Sequence, residues 1–330
     1  MHRKDMLQLH RLAFLHRAVY IDTNVDRLLM PELPDLTIYI ESFQSRLVGQ
    51  HLERVRLANP FILRTFDPPI ADASEKLVCG ISRIGKRLVF ELEGDLFIVI
   101  HLMIAGRFHW KKRGIKIGGK INHAGFDFAD GTLLLTEAST KKRASMHFVK
   151  GRESLSQFDR GGLEVQGSSL PEFAAALLRE NRTLKRALTD PRLFSAIGNA
   201  YSDEILHRAG LSPLKLTGKM SQNEIAQLHR SANEVFGEWI DRLRKEHGGN
   251  FPEKVTAFHE QMAVHGKFGK PCPVCGTSVQ RIVYAENECN YCPRCQTGGK
   301  MLSDRSLARL LKDDWPRTID ELEDNLRTSG

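Results

Sequence analysis

Two C-x2-C pairs, Cys272-Pro-Val-Cys275 and Cys292-Pro-Arg-Cys295, constrain the fold of this 330-residue chain more than any other feature. Sixteen residues separate the pairs, and five of the six cysteines lie within residues 272–295. Each pair turns two thiolates toward one point, so this spacing suits one tetrahedral zinc ion with a β-hairpin between the pairs. An all-thiolate site closes the metal off from water, which makes its role structural. Cys289 is also spaced to form a knuckle with Cys292. The Cys292/Cys295 register is preferred because its C-P-x-C form repeats that of Cys272-Pro-Val-Cys275. Cys79 stands in an apolar run and reads as a core residue.

A zinc module alone supplies no chemistry. The rest of the chain, 41% hydrophobic, is long enough for two domains with cores of their own. Its 48 basic against 40 acidic residues favour a polyanionic partner, because each phosphate neutralised by Lys or Arg releases condensed counterions. No run approaches the roughly 20 apolar residues that span a bilayer. Residues 1–29 lack an apolar stretch long enough for a secretory signal. The expectation is a cytoplasmic monomer with no membrane partner. Residues 1–29 read as a leader or as an over-called start ahead of Met30; an organellar presequence is disfavoured by Asp22 and Asp26.

Hydrophobic periodicity divides the chain. Leu36, Ile40, Phe43 and Leu47 fall at helical spacing, with Gly49 placed to end the helix. Short β-type runs follow at His51–Ala58, Leu77–Ile84, Arg87–Leu92, Leu96–Leu102, Gly125–Phe128 and Thr132–Thr136, punctuated by glycines and the Asp130-Gly131 turn. Helical spacing returns at Glu172–Glu180, Arg182–Leu188, Tyr201–Ala209 and Gln222–Glu246. The predicted fold is α+β and multidomain. An N-terminal β-sandwich with one helix spans 30–150, a linker 151–170, a helical domain 171–266, a zinc finger 267–300 and a tail of one or two short helices 301–330.

Met30-Pro-Glu-Leu-Pro-Asp35 at the head of the first helix resembles the N-terminus of the bacterial formamidopyrimidine-DNA glycosylase and endonuclease VIII family. Three further features arrive in that family's order. Lys86, in Gly85-Lys-Arg-Leu-Val-Phe, lies between two predicted strands like the family's β-hairpin lysine. Lys185, then Ile197-Gly-Asn-Ala-Tyr-Ser-Asp-Glu204, resembles the helix-two-turn-helix DNA-binding element, and the cysteine module resembles the zinc finger. The resemblance implies a DNA glycosylase with abasic-site lyase activity acting on damaged DNA. It implies Pro31 as nucleophile, Glu32 as proton carrier, Lys86 at phosphate and lesion, and Lys185 and Asn199 at backbone phosphate. The chemistry of proline agrees: once Met30 is removed, Pro31 presents an α-amine titrating at about 7.7 to 8.0, against about 10.4 for lysine, so a useful fraction is a neutral nucleophile.

Three departures from the family pattern concern how the duplex is opened. The zinc-finger arginine position holds Asn287, which hydrogen-bonds phosphate without neutralising it. The family's Asp-Pro-Arg-Arg-Phe-Gly stretch is replaced by Glu137-Ala-Ser-Thr-Lys-Lys-Arg-Ala-Ser145, where Arg143 or Lys142 is available for insertion but no aromatic wedge is nearby. The gap-filling methionine position aligns with Ile104, next to Met103. Base flipping costs least where the base is already unpaired, so the expected substrate is single-stranded or distorted DNA. The alternative is a damaged-DNA-binding protein of the same fold with weak or no catalysis.

Overall fold

A computed structural model of the chain describes residues 30–253, 255, 259–284, 287–303 and 316–328; the leader reading of 1–29 lies outside them. Helix α1, Leu33–Leu47, buries Leu36, Phe43 and Leu47 as their spacing predicts; the fourth expected residue, Ile40, is half-buried, and Tyr39 takes the fully buried place beside it. It is opened by Asp35, whose carboxylate accepts the Glu32 N–H at 2.9 Å. Beyond its end Gly49 takes φ +85°, a conformation that reverses the chain at little cost only for glycine.

Nine strands follow: β1 His51–Leu52, β2 Arg54–Leu57, β3 Lys76–Ile84, β4 Arg87–Leu92, β5 Leu96–His101, β6 Gly106–Lys111, β7 Asn122–Phe128, β8 Gly131–Glu137 and β9 Ser145–Lys150. They form two antiparallel sheets, ordered β1-β3-β4-β5-β9 and β2-β7-β8-β6. One apolar face of each sheet joins α1 in a single core. At its centre Phe43 meets Phe108 edge-on at 5.2 Å and Phe90 at 5.4 Å between ring centroids. The run predicted as one strand over 51–58 is split at Glu53, so that β1 pairs with β3 in one sheet and β2 with β7 in the other. Strands β6 and β9 were not predicted. Cys79 is exposed rather than in the core, because the register shift between Val78 and Gly80 interrupts the alternation of faces.

The helical part comprises α2 Leu170–Leu178, α3 Leu184–Thr189, α4 Asn199–Arg208 and α5 Gln222–His247 around a second core. Helix α5 begins with a Ser221/Glu224 capping box and ends on Gly248 at φ +52°. Strands β10 Gln280–Tyr284 and β11 Asn287–Tyr291 form the hairpin expected between the cysteine pairs, followed by α6 Pro293–Thr297 and α7 Ile319–Thr328. Among the described residues no helix is long and apolar enough to cross a membrane. The fold is therefore a β-rich N-terminal part with its helix, a helical part and a zinc finger.

Candidate functional site

Glu32, the residue just before α1, is 2% exposed and reaches from the β-rich part to the first turn of α4. Its carboxylate accepts N–H groups from Gly198 at 2.6 Å, Ala200 at 2.9 Å and Tyr201 at 3.2 Å. These are unpaired donors of a helix N-terminus, where the dipole also favours an anion. Even so, burial prevails over Lys86 and the Ala200 N–H and holds Glu32 above its ordinary range. A carboxyl so placed keeps a proton at higher pH than an exposed glutamate would.

Lys86 occupies the β3-β4 turn, where Gly85 has φ +57°. Burial lowers its pKa, opposed by the charges of Glu32 and Asp35. Glu32 and Lys86 converge on Gly198: a Cβ at that position would overlap Glu32 Cδ and Oε1 and Lys86 Nζ. The glycine of Ile197-Gly-Asn is thus fixed by space, at φ −131°, and not by a left-handed backbone. Pro31 is buried immediately before Glu32. The structure therefore brings Pro31, Glu32 and Lys86 to one junction between the two cores.

Lys185 has a different setting from the one expected of a phosphate ligand. Its ammonium donates to Asn199 O at 2.7 Å, Ser202 Oγ at 2.8 Å and Asp203 Oδ1 at 2.5 Å, which uses all three of its protons inside the protein. The other oxygen of Asp203 accepts from the Asn290 N–H at 3.0 Å and lies 2.7 Å from His265 Nδ1. Burial alone would raise Asp203, but Lys185 and His265 outweigh it and hold it low. Next to it Glu204 accepts the N–H groups of Ala263, Val264 and His265 at 2.8 to 2.9 Å. Asn199 Nδ2 donates to Glu288 O at 2.7 Å, tying the start of α4 to the zinc hairpin. Helix α4 is thereby clamped along its length. Asp203 and Glu204 stood in the quoted motif without an assigned role, since adjacent acids on a helix read as a solvated face until the loop they cap is seen.

The remaining expected DNA contacts are dispersed. Arg143 is exposed; its backbone N–H and that of Ala144 are held by the buried carboxylate of Glu137, at 2.9 and 3.2 Å. Glu137 in turn lies 3.0 Å from His123 Nε2, and His123 Nδ1 is 3.0 Å from Asn59 Nδ2. This chain from Asn59 to the 138–144 loop was not seen in the sequence. Ile104 is exposed beside Met103, which has φ +54°. Asn287 opens β11, and its side chain lies outside the described residues.

The Sγ atoms of Cys272, Cys275, Cys292 and Cys295 lie within 4.8 Å of one another. Zn–S bonds of about 2.3 Å in a tetrahedron require sulfurs roughly 3.8 Å apart. The Cys272–Cys295 contact of 3.9 Å meets that spacing and the Cys275–Cys292 contact of 3.3 Å is tighter, and the four-cysteine cluster is consistent with one structural zinc. His207 Nε2 sits 3.3 Å from Cys272 Sγ, placed to donate to the thiolate. Cys289 is buried outside the cluster, facing Asp203, so the Cys292/Cys295 register holds.

Comparison with known proteins follows the same division of the chain. Residues 30–146 match the formamidopyrimidine-DNA glycosylase N-terminal domain, 165–246 the formamidopyrimidine-DNA glycosylase H2TH domain and 269–298 a zinc finger found in FPG and IleRS. The formamidopyrimidine-DNA glycosylase of Geobacillus kaustophilus is 31% identical over 282 residues, covering 81% of this chain and all of that one. An uncharacterized formamidopyrimidine-DNA glycosylase-like protein of Mycobacterium tuberculosis is 39% identical over 151 residues, 46% of this chain and 94% of that one. Among solved structures, Lactococcus lactis Fpg in complex with an abasic site containing DNA superposes with a TM-score of 0.71 at 27% identity, covering 81% of this chain and 99% of that one. A mutant of the same protein with a Fapy-dG containing DNA gives the same TM-score and identity, with 81% and 100% covered.

Proposed function

Since the chain belongs to the formamidopyrimidine-DNA glycosylase family, we propose that it binds damaged DNA, excises a damaged base and cleaves the strand at the abasic site so formed. The observation that carries this reading is the convergence of Glu32 and Lys86 on Gly198, with Pro31 directly before Glu32. In the proposed reaction the free secondary amine of a mature Pro31 attacks C1′ of the damaged nucleotide. The C1′–N bond breaks toward the base, which leaves with that electron pair and takes up a proton. The sugar ring opens as its oxygen accepts a proton from Glu32, and the amine, having lost its own proton, is left as an iminium at C1′. The iminium acidifies the 2′ hydrogen; loss of that proton lets the 3′ phosphate depart with its bonding electrons, which is the lyase step.

Lys86 is assigned to the phosphate or lesion beside this centre, Asn199 and Asn287 to backbone phosphate, and Arg143 to the space vacated by the extruded base. Lys185 is assigned to positioning α4 for those contacts rather than to the phosphate itself, because its donors are already engaged. The experiment is borohydride trapping on an abasic oligonucleotide. A stable covalent adduct at the N-terminal proline supports the enzyme. Tight binding without adduct or strand cleavage would favour instead a damage-binding protein, a reading prompted by the absence of an aromatic from Glu137–Ser145.

A further inference from the structure

The sheet containing β4, β5 and β9 has a second face, turned away from the main core. Its middle is covered by Phe158, which packs with Val89, Phe97, Val99 and Val149. Its end nearest Lys86 carries cations. Arg87 pairs across the sheet with His101, and Val99 pairs with His147, which puts these three basic side chains on one face. The Arg87 guanidinium lies 5.9 Å from the Phe158 ring centroid, and its Nε is buried without a hydrogen-bond partner. His147 meets the same ring edge-on at 5.0 Å. His101 Nδ1 accepts from the Met103 N–H at 3.1 Å, which leaves Nε2 as the protonated, donating nitrogen.

A segment after β2 widens this face. Arg64 N donates to Met146 O at 2.8 Å, and Thr65 Oγ1 bonds both the N–H and the carbonyl of Phe148. Leu63 bridges to Met146 and packs into the main core, and the charge of Arg64 acts on His147 from this segment. Phe66 is 86% exposed. Burial, and then the charge of Arg160 on Arg87 and of Arg87 and Arg64 on His147, lowers the pKa of both groups, while the exposed carboxylates Asp67 and Asp159 adjoin Phe66 and Arg160 in sequence. Glu91, farther along the face, is paired with Arg152.

A cluster of cations beside an exposed aromatic ring is the combination that holds an unpaired polynucleotide strand: phosphates meet the charges while a base stacks on the ring. We propose that this face binds a single-stranded stretch of the DNA substrate continuing past Lys86, with phosphates on Arg64, Arg87 and Arg160 and a base stacked on Phe66. The inference rests on the reading of the chain as a damaged-DNA-binding protein. It commits to a single strand because bases inside a duplex are already stacked and do not reach Phe66.

The test measures binding of the full chain by fluorescence anisotropy to three abasic-analogue DNAs: a short one, the same with single-stranded extensions of about 10 nucleotides, on the scale of single-strand binding sites, and the same with the extensions made duplex. Single-stranded extensions should tighten binding about tenfold. Phe66→Ala should remove most of that gain at unchanged salt dependence, and Phe66→Tyr should keep it. Arg64→Ala, Arg87→Ala and Arg160→Ala should each make the salt slope shallower by roughly 0.7 on the extended strand. Equal gain from duplex extensions, no gain at all, or equal weakening on the short DNA would overturn the proposal. Borohydride trapping is scored separately. Loss of trapping with the extension gain intact would remove the catalytic reading and keep this face; trapping without the gain would do the reverse.

Discussion

A buried carboxylate on three helix N–H groups is subject to two opposed effects, and at Glu32 the balance decides its chemistry. The N–H donors and Lys86 stabilise the charged form, while burial penalises it, and burial prevails. The proposed acid therefore remains protonated to higher pH than an exposed glutamate, and the Pro31 amine becomes nucleophilic only as pH rises toward about 7.7 to 8.0. Trapping rate against pH should be bell-shaped, its rising limb set by the amine and its falling limb by Glu32. Glu32→Gln, which fills the same space and donates no proton, should abolish the falling limb and slow trapping by about 100-fold or more. A profile identical to the unaltered protein's would show that Glu32 is only a cap. Gly198 supplies a second check at this scale. Gly198→Ala must displace both Glu32 and Lys86, so it should cost as much trapping as Glu32→Gln while leaving zinc content unchanged. Measured zinc stoichiometry and trapping on one preparation decide this.

Helix α4 is the element on which the site depends, because it offers its N-terminus to Glu32, its flank to Lys185 and its acids to the strap before the zinc finger. Removing Lys185 leaves the fully buried Asp203 with its charge partly uncompensated, a loss of about 3 to 5 kcal/mol for a broken buried pair. Lys185→Met should lower Tm by roughly 6 to 20 °C, at about 2–4 °C per kcal/mol, and weaken binding to damaged and undamaged DNA alike. Weakened binding at unchanged Tm would return Lys185 to the phosphate. For the zinc element, Cys295→Ser should lose metal and DNA affinity together, whereas Cys289→Ser should retain metal; atomic absorption and anisotropy read both. Elements with a regular pattern were legible in the sequence: Arg87–Leu92 is a strand over the residues predicted, and α5 begins at Gln222 as predicted and ends at His247, one residue beyond. Strand β6 was hidden because Gly106–Lys111 changes from buried to half-buried without alternating, and its partner β8 supplies most of the apolar surface. The split between β1 and β2 was invisible because one continuous β-type run serves two sheets, and only the tertiary arrangement separates them. The cysteine ligands were legible from spacing alone. The acids of α4 were not, because their partners lie about 60 residues onward in a strap with no pattern of its own.

At the scale of the whole molecule, the proposed chemistry requires Pro31 to be a chain terminus. In a chain that continues through Met30 toward residue 1, the Pro31 nitrogen is a tertiary amide whose lone pair is delocalised into the Met30 carbonyl, and it has no nucleophilic pair to offer C1′. Protein begun at Met30, with that methionine removed, should form a borohydride-stable adduct with abasic DNA, most readily when single-stranded. The same protein with residues 1–29 in place should bind DNA and form no adduct until a protease trims it to Pro31. Intact-mass measurement of each preparation before and after trapping identifies the chain that reacted, and peptide mapping identifies the nitrogen. Chemical blocking of the terminal amine should abolish the adduct in the shorter protein and leave its DNA affinity within about twofold, because phosphate contacts supply most of the binding. An adduct on an intact chain starting at Met1 would remove Pro31 from the mechanism. It would point to Lys86, whose amine meets Glu32 at Gly198 and whose pKa burial lowers.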